Sequence, residues 1–431
     1  MAYARGWIAK ETVIFCPDSR RYRRVRRAPF LGCALARGAA LLSPPAAAQA
    51  GGPLDPFRLR LTGAMAWDSN VFRLPASAPD PQLALGRAGK GDRFDMLTYG
   101  LRFDKSYSQQ HFVVDLSRTQ TRYDKFISLN RNTLSDLAQW DWRLGARLSG
   151  RLSADRTESV VDFEDIVGSR TRIVTRRTNR AFSIDGWLGD GWHLQAGLSN
   201  LESKNSTAFA ASPSFTQTSG ELGLNYIALS GNSITATARS RRGANTGQAV
   251  DFVNFLDSGF AVREHELAAS WVASGNSTLN GRLTRIERRN DHIAQRDFSG
   301  AAGELRYLWT PTGRLTLGLS AVRTLIPFTP DTRTSYKVDD TLSFTPAWAV
   351  AANTTLRMNL FRRTTDYLGP VVPVTGPLRR DVLTSAQVAV DWKPHDKVTL
   401  SASLQRDRRT SNDAAFTYDD TIARFNAALL Y

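Results

Sequence analysis

Apolar and polar residues alternate one for one through most of this chain. Phe57, Leu59, Leu61, Met65 and Trp67 alternate with Arg58, Arg60, Thr62, Ala64 and Asp68. The pattern returns at 138–148, 221–226, 304–309 and 387–392. A period of two puts neighbouring side chains on opposite faces, so each segment predicts a strand with one apolar face. Tight-turn signals punctuate these segments at intervals of roughly forty residues. They are Lys105-Ser106, Ser149-Gly150, Gly189-Asp190-Gly191, Ser230-Gly231-Asn232, Ser274-Gly275-Asn276, Pro311-Thr312-Gly313, Ala352-Asn353 and Pro394-His395-Asp396. Each interval holds two strands and one longer polar connection. Those connections include Ser69–Gly91, Glu158–Arg177, Glu202–Phe215, Arg242–Gly259 and Thr364–Arg379.

A soluble sandwich also alternates. Here the apolar face repeatedly ends in an aromatic beside a turn, at Trp67, Trp192, Trp271, Trp309, Trp348 and Trp392. Amphipathic rings at strand ends fit the interfacial girdle of a membrane barrel. Short turns on one side and long loops on the other are the asymmetry of the same architecture. Eight short turns join sixteen strands, and the first (Phe57–Asp68) and last (Thr421–Tyr431) stand outside them. The predicted fold is therefore all-β: an antiparallel transmembrane β-barrel of about 18 strands over residues 57–431, monomeric, with short periplasmic turns and long extracellular loops. Two strands per interval, where a propeller blade has four, argue against a propeller. The body has no apolar run of ~18 residues, so no membrane helix is expected.

Charge and cysteine change the picture only at the N-terminus. The formal net charge is +16. Nine Lys/Arg and two Asp/Glu fall in the first fifty residues, so seven of those charges belong there and nine to the remainder. Both cysteines, Cys16 and Cys33, lie in the same segment. The body thus has no disulfide, thiolate metal site or thiol nucleophile. Arg20, Arg21, Arg23, Arg24, Arg26 and Arg27 precede an apolar stretch from Pro29 to Leu42, which closes at Ala48-Gln49-Ala50. This reads as a secretory leader over residues 1–50, cleaved after Ala50, with a true start nearer Val25. Residues 51–56 are a short periplasmic lead-in, too short for a plug domain. A basic balance ordinarily suggests nucleic acid. Its location along this chain points to no nucleic-acid partner.

With the apolar face toward lipid, the alternate residues line the interior. The pore-lining candidates are Arg58, Arg60, Arg102, Arg143, Arg147, Arg239, Arg241, Arg282, Arg306, Arg357 and Arg424, with Glu221 and Glu304. Arg151, Asp104, Asp115, Asp141, Asp155, Asp185 and Asp391 share that face, as do the amides of Asn225, Asn280, Asn359, Gln139, Gln195 and Gln387. A barrel of this size encloses an aqueous channel. An Arg-biased, amide-rich wall favours hydrated or anionic solutes such as polysaccharide. The alternative is structural, with Arg and carboxylates of adjacent strands pairing to stiffen the wall. The cluster Arg170, Arg172, Arg176, Arg177 and Arg180 is expected to meet lipopolysaccharide phosphate, with anionic polymer as the alternative. The body's nine excess charges are expected mainly on lumenal strands and loops.

Catalytic motifs are absent. The five histidines are scattered, and no H-E-x-x-H, G-x-S-x-G, P-loop or C-x-x-C occurs. No metal, cofactor or catalytic residue is assigned, and the chain is expected not to be an enzyme. The loop motif Asp68-Ser69-Asn70-Val71-Phe72 opens the Ser69–Gly91 connection, which is expected to fold inward as a constriction. Its Asp-Ser-Asn start would anchor it by Asx-type hydrogen bonds. The C-terminal alternation Phe425, Ala427, Leu429, Tyr431 ends on an aromatic, the form of terminal strand that barrel-assembly machinery receives.

Asp68-Ser69-Asn70-Val71-Phe72-Arg73-Leu74-Pro75 resembles a signature of EpsL-type exosortase-associated exopolysaccharide-biosynthesis outer-membrane β-barrel proteins. Leu101–Lys105, Gln295–Gly300, Trp309–Gly313, Leu400–Asp407 and Tyr418–Thr421 are similar too, so the resemblance spans Leu59 to Tyr431. The Arg-rich leader before Arg26 departs from it. The resemblance implies a Gram-negative outer-membrane protein that exports extracellular polysaccharide. Its partners would be the polysaccharide, outer-membrane lipid and lipopolysaccharide, the assembly machinery and periplasmic export proteins. Alternatives from other classes are a general solute porin and an outer-membrane enzyme that modifies the polymer.

Overall fold

The computed structural model describes residues 56–81, 89–160, 163–165, 172–207, 213–329 and 333–431. The expected leader, residues 51–55 of the lead-in and Arg170 lie outside the described residues. Eighteen strands follow one another. They are β1 (Phe57–Asp68), β2 (Asp92–Tyr107), β3 (Gln110–Tyr123), β4 (Arg131–Leu144), β5 (Leu148–Val160) and β6 (Val174–Gly189). Next come β7 (Trp192–Asn205), β8 (Phe215–Ile227), β9 (Ser233–Asn245), β10 (Gly259–Ser274), β11 (Ser277–Asn290) and β12 (Phe298–Thr312). The last six are β13 (Leu315–Pro327), β14 (Tyr336–Ala351), β15 (Thr354–Leu368), β16 (Arg380–His395), β17 (Val398–Ser411) and β18 (Tyr418–Leu430).

Each strand pairs antiparallel with its sequence neighbours, and β18 returns to β1. Two backbone bonds between Leu59 and Tyr431 (2.6 and 2.8 Å) finish that seam. Closure leaves no sheet edge, as lipid requires of a spanning β-structure. The fold is thus a closed 18-stranded transmembrane β-barrel with short turns at one end and longer loops at the other.

Pairing register assigns the two faces. Phe57, Leu59, Leu61, Met65 and Trp67 are all about half exposed, while Ala66 and Asp68 between and beside them are buried. The outward residues form the lipid-facing band, and Trp140, Trp192, Trp271, Trp309, Trp348 and Trp392 ring its short-turn end. Trp67 is the exception, at the loop end of β1.

Among the boundaries that differ from expectation, Lys105-Ser106 lies inside β2, and the turn follows at residues 108–109. Ser149-Gly150 lies inside β5, and the turn is at residues 145–147, where Gly145 takes φ +60°. A Cβ on Gly150 would lie 2.3 Å from the Ser183 carbonyl and 2.4 Å from the Trp142 ring. That glycine reports close packing, which in sequence is indistinguishable from a turn. The last strand also begins earlier, at Tyr418.

Three connections are clipped by aspartates. Asp92 accepts the Lys125 and Phe126 N–H groups (3.0 and 2.8 Å) ahead of the short turn Ile127–Leu129. Asp257 accepts the His292 and Ile293 N–H groups (both 2.7 Å) ahead of Ala294–Arg296. Asp413 accepts Ala415 N–H within its own loop (3.1 Å). Burial disfavours the charged Asp257 carboxyl, but the His292 side chain and the N–H groups of His292, Gly259 and Ile293 outweigh it and hold its pKa below the usual value. The stabilisation is therefore present above the ordinary carboxylate pKa of ~4 and is lost as pH falls through the depressed folded value. We expect Asp257→Ala to release the 246–258 and 291–297 loops. Limited proteolysis of intact liposome-embedded protein should then cut both loops faster. Wild-type cleavage rates would refute the clip.

Candidate functional site

The barrel interior is the candidate site, built from inward positions of every strand. Arg60, Arg102, Arg239, Arg241, Arg282, Arg306, Arg357, Glu221 and Glu304 all take the inward register, and each makes an ion pair. Arg58, Arg143 and Arg424 also face inward and have no carboxylate partner among the described residues. Arg147 departs from expectation. It sits in the turn between β4 and β5, its guanidinium 5.6 Å from the Trp187 ring centroid.

The pairs join into wall networks. Asp115 takes Arg60 and Arg102 (both 3.3 Å), and Arg102 holds Asp104 at 2.9 Å. His111 then bridges Asp104 (2.8 Å) and Asp141 (3.4 Å), and Asp141 takes Arg151 (2.5 Å). Further round the ring, on β8 to β10, Arg239 lies between Glu221 (2.7 Å) and Glu264 (2.9 Å), and Arg241 adds a second bond to Glu264 (2.7 Å). Arg282 and Arg306 share Glu304, while Arg357 bonds Asp391. Most lumenal cations are therefore matched by carboxylates.

The body's excess positive charge lies elsewhere, which corrects the expected placement on lumenal strands. Arg118, Arg122, Arg156, Arg176, Arg180, Arg242, Arg263, Arg285, Arg289, Arg323, Arg362, Arg406 and Arg408 all take the outward register at the loop end of their strands. Strands of 12–16 residues exceed the ~9–11 that span a bilayer. Above the lipid band, outward positions meet water and headgroups and turn from apolar to charged. Of the loop arginines, Arg176 and Arg180 join this outward belt, whereas Arg177 faces inward.

The loop motif behaves as its residue types require. Asp68 accepts Asn70 N–H (2.8 Å). Asn70 donates to the carbonyls of Leu74 (2.8 Å) and Asp419 (3.1 Å) and accepts Leu74 N–H (2.9 Å). Ser69 Oγ donates to Asp420 (2.9 Å) and accepts Thr421 N–H (2.7 Å). Arg73, at φ 55°, spans Asp68 (3.0 Å) and Asp420 (2.8 Å). A left-handed non-glycine conformation costs about 1 kcal/mol or more, and these ion pairs hold it. Phe72 packs edge-on against Phe126 at 4.9 Å, beside Val71 and Leu129.

These contacts bind the described part of the 69–91 loop to Asp68 and Asp420, inward positions at the loop end of β1 and β18. The β5–β6 loop also reaches inward. Its short turn Phe163–Asp165 reaches inner-face residues of β14 to β18. Arg363 grips Glu164 with both carboxylate oxygens at 3.0 Å, and Tyr418 Oη donates to Glu164 at 2.9 Å. Asp165 takes Lys337 (2.7 Å), Arg379 (2.9 Å), Arg409 (3.0 Å) and Tyr367 Oη (2.9 Å). Arg409 also donates to the Glu164 carbonyl (2.5 Å), and Asp381 bonds Arg379 (2.7 Å) and Arg409. Sequence reasoning missed this group. Its one sequence signal was the acidic run Asp162, Glu164 and Asp165 ahead of the arginines of that connection. If the 69–91 loop is a constriction, deletion of residues 75–88 should raise single-channel conductance; an unchanged conductance would refute that role.

No protein-family model matches the sequence, and no curated protein matches it. Solved outer-membrane barrels are similar in architecture. OccK9 (OpdG) of Pseudomonas aeruginosa is 12% identical at a TM-score of 0.48, covering 87% of this chain and 98% of its own. The outer membrane protein opdK of the same organism is 10% identical at 0.47, covering 87% and 99%. The siderophore receptor PirA, also from Pseudomonas aeruginosa, is 10% identical at 0.43, covering 86% and 80%. These likenesses concern architecture alone, and the closed sheet establishes the barrel independently.

Proposed function

We propose that this barrel is a hydrophilic conduit in a Gram-negative outer membrane, and that its cargo is extracellular polysaccharide. The observation that carries the reading is the division of faces: apolar residues ring the outside and charged or amide side chains line the inside. A sugar polymer crosses such an interior by exchanging hydrogen bonds with water for bonds to wall groups, at little net cost. The wall offers both donors and acceptors, since its cations and carboxylates are paired. The sequence resemblance supplies the choice of polymer. Lipopolysaccharide phosphate suits the outward arginine belt, and β18 suits recognition by assembly machinery. Periplasmic export proteins complete the proposed set of partners.

A second reading, a porin for small solutes, is favoured by the short turn Phe163–Asp165, which sets charged side chains of the β5–β6 loop against inner-face residues. A deletion strain separates the two. Polymer retained in the periplasm supports export. Normal polymer at the surface together with impaired uptake of small solutes supports the porin. Normal export with altered length or acylation would point to modification of the polymer and overturn both.

A further inference from the structure

We propose that the cations gripping the β5–β6 loop form a binding site for carboxylated sugars, occupied in this structure by the loop's own Glu164 and Asp165. The inference deepens the conduit reading, on which it rests, by naming acidic polymer as the cargo class.

The site is built from elements far apart in sequence. Lys337 comes from β14, Arg363 and Tyr367 from β15, Arg379 from just before β16, Arg409 from β17 and Tyr418 from β18. Lys337, Arg363 and Arg409 side chains are 3%, 6% and 3% exposed. Four cations converge there, and within the wall itself Asp381 pairs with only two of them. The remaining positive charge is met by two carboxylates from the β5–β6 loop, on the other side of the ring. Arg363 holds Glu164 in the forked geometry that arginine offers a planar carboxylate. Its Nε, buried, has no hydrogen-bond partner among the described residues. Tyr367 and Tyr418 add neutral hydroxyl donors of the kind that a uronic acid's ring oxygens and hydroxyls also accept. A hexuronate presents the same planar carboxylate as Glu164 and competes with it directly. The loop then acts as an internal competitor, lowering apparent affinity by the fraction of time it occupies the site.

The test uses the full mature chain in planar bilayers, with current block by tri-galacturonate, free galacturonate and a neutral trisaccharide. We expect tri-galacturonate to block at roughly tenfold lower concentration than the neutral trimer. Glu164→Gln with Asp165→Asn should lower that concentration about tenfold further, as the competent fraction rises. Arg363→Gln with Arg409→Gln should abolish the preference. Should that pair fail to assemble, Arg363→Lys, which keeps the charge and loses the fork, must weaken block by the acidic trimer alone. Equal block by acidic and neutral trimers, or no change in acidic block when the loop carboxylates are removed, overturns the site while leaving the conduit. Block by free galacturonate with passage of neither trimer supports the site and removes the conduit reading.

Discussion

Glu164→Gln combined with Asp165→Asn should give a channel of markedly higher single-channel conductance than the natural chain. Both carboxylates sit among Lys337, Arg363, Arg379 and Arg409, and both are about 10% exposed. Removing one member of a buried pair costs about 3–5 kcal/mol because the remaining charge is left uncompensated. The mouth of a barrel is wet, so the stranded cations regain part of that hydration. A net of about 2 kcal/mol remains reasonable, a shift of roughly 30-fold in the ratio of docked to released loop. The barrel itself should persist, because its strand ladder does not pass through this loop. Conductance in 1 M KCl measures the outcome, with a chain whose residues 161–172 are replaced by a short Gly-Ser linker as the fully released reference. If the double variant conducts like the natural chain while the linker chain conducts more, the carboxylates are not what holds the loop.

Arg239→Met should be the most destabilising single change in the wall. Arg239 is 7% exposed in its side chain and bonds Glu221 and Glu264, of which Glu264 is 3% exposed. Methionine fills similar volume but leaves two facing carboxylates without their shared cation. Arg241 still serves Glu264, which places the cost near the lower end of the usual range, about 3 kcal/mol. Urea unfolding in lipid vesicles should register the loss. The same variant should shift ion selectivity toward cations, read as a change in reversal potential under a salt gradient. Arg239→Met with Glu221→Gln should restore part of the stability, since one stranded charge is then gone. Unchanged stability in the single variant would show that water, not Arg239, compensates these carboxylates.

The wall residues were legible in the sequence for a simple reason. A strand's side-chain period is two, so once Phe57, Leu59 and Leu61 are assigned to lipid, Arg58 and Arg60 must face inward. The same arithmetic placed Arg102, Arg239, Arg282, Arg357 and Arg424 without any knowledge of partners. It failed at Arg147 because a glycine that relieves packing, Gly150, has the same sequence signature as one that turns the chain. It misjudged the charge because alternation says which face a residue takes and not where along the strand the lipid stops. The outward arginines at the loop ends were therefore not recognised as the seat of the excess charge.

The Asp68-Ser69-Asn70 anchor was legible because its bonds are mostly local: Asp68 to Asn70, and Asn70 to Leu74. Its partners on β18 were not, since Asp420 and Thr421 lie some 350 residues away. The grip on Glu164 and Asp165 is the extreme case, assembled from five segments 172 to 254 residues distant. By itself the sequence determined the strand count, the two faces and the side with short turns, because each follows from a period or a local turn. Only the tertiary structure decided that the β5–β6 loop enters the lumen. Barrel closure sets β5 and β6 across the ring from β14 to β18, and that juxtaposition lets two loop carboxylates neutralise a buried group of cations.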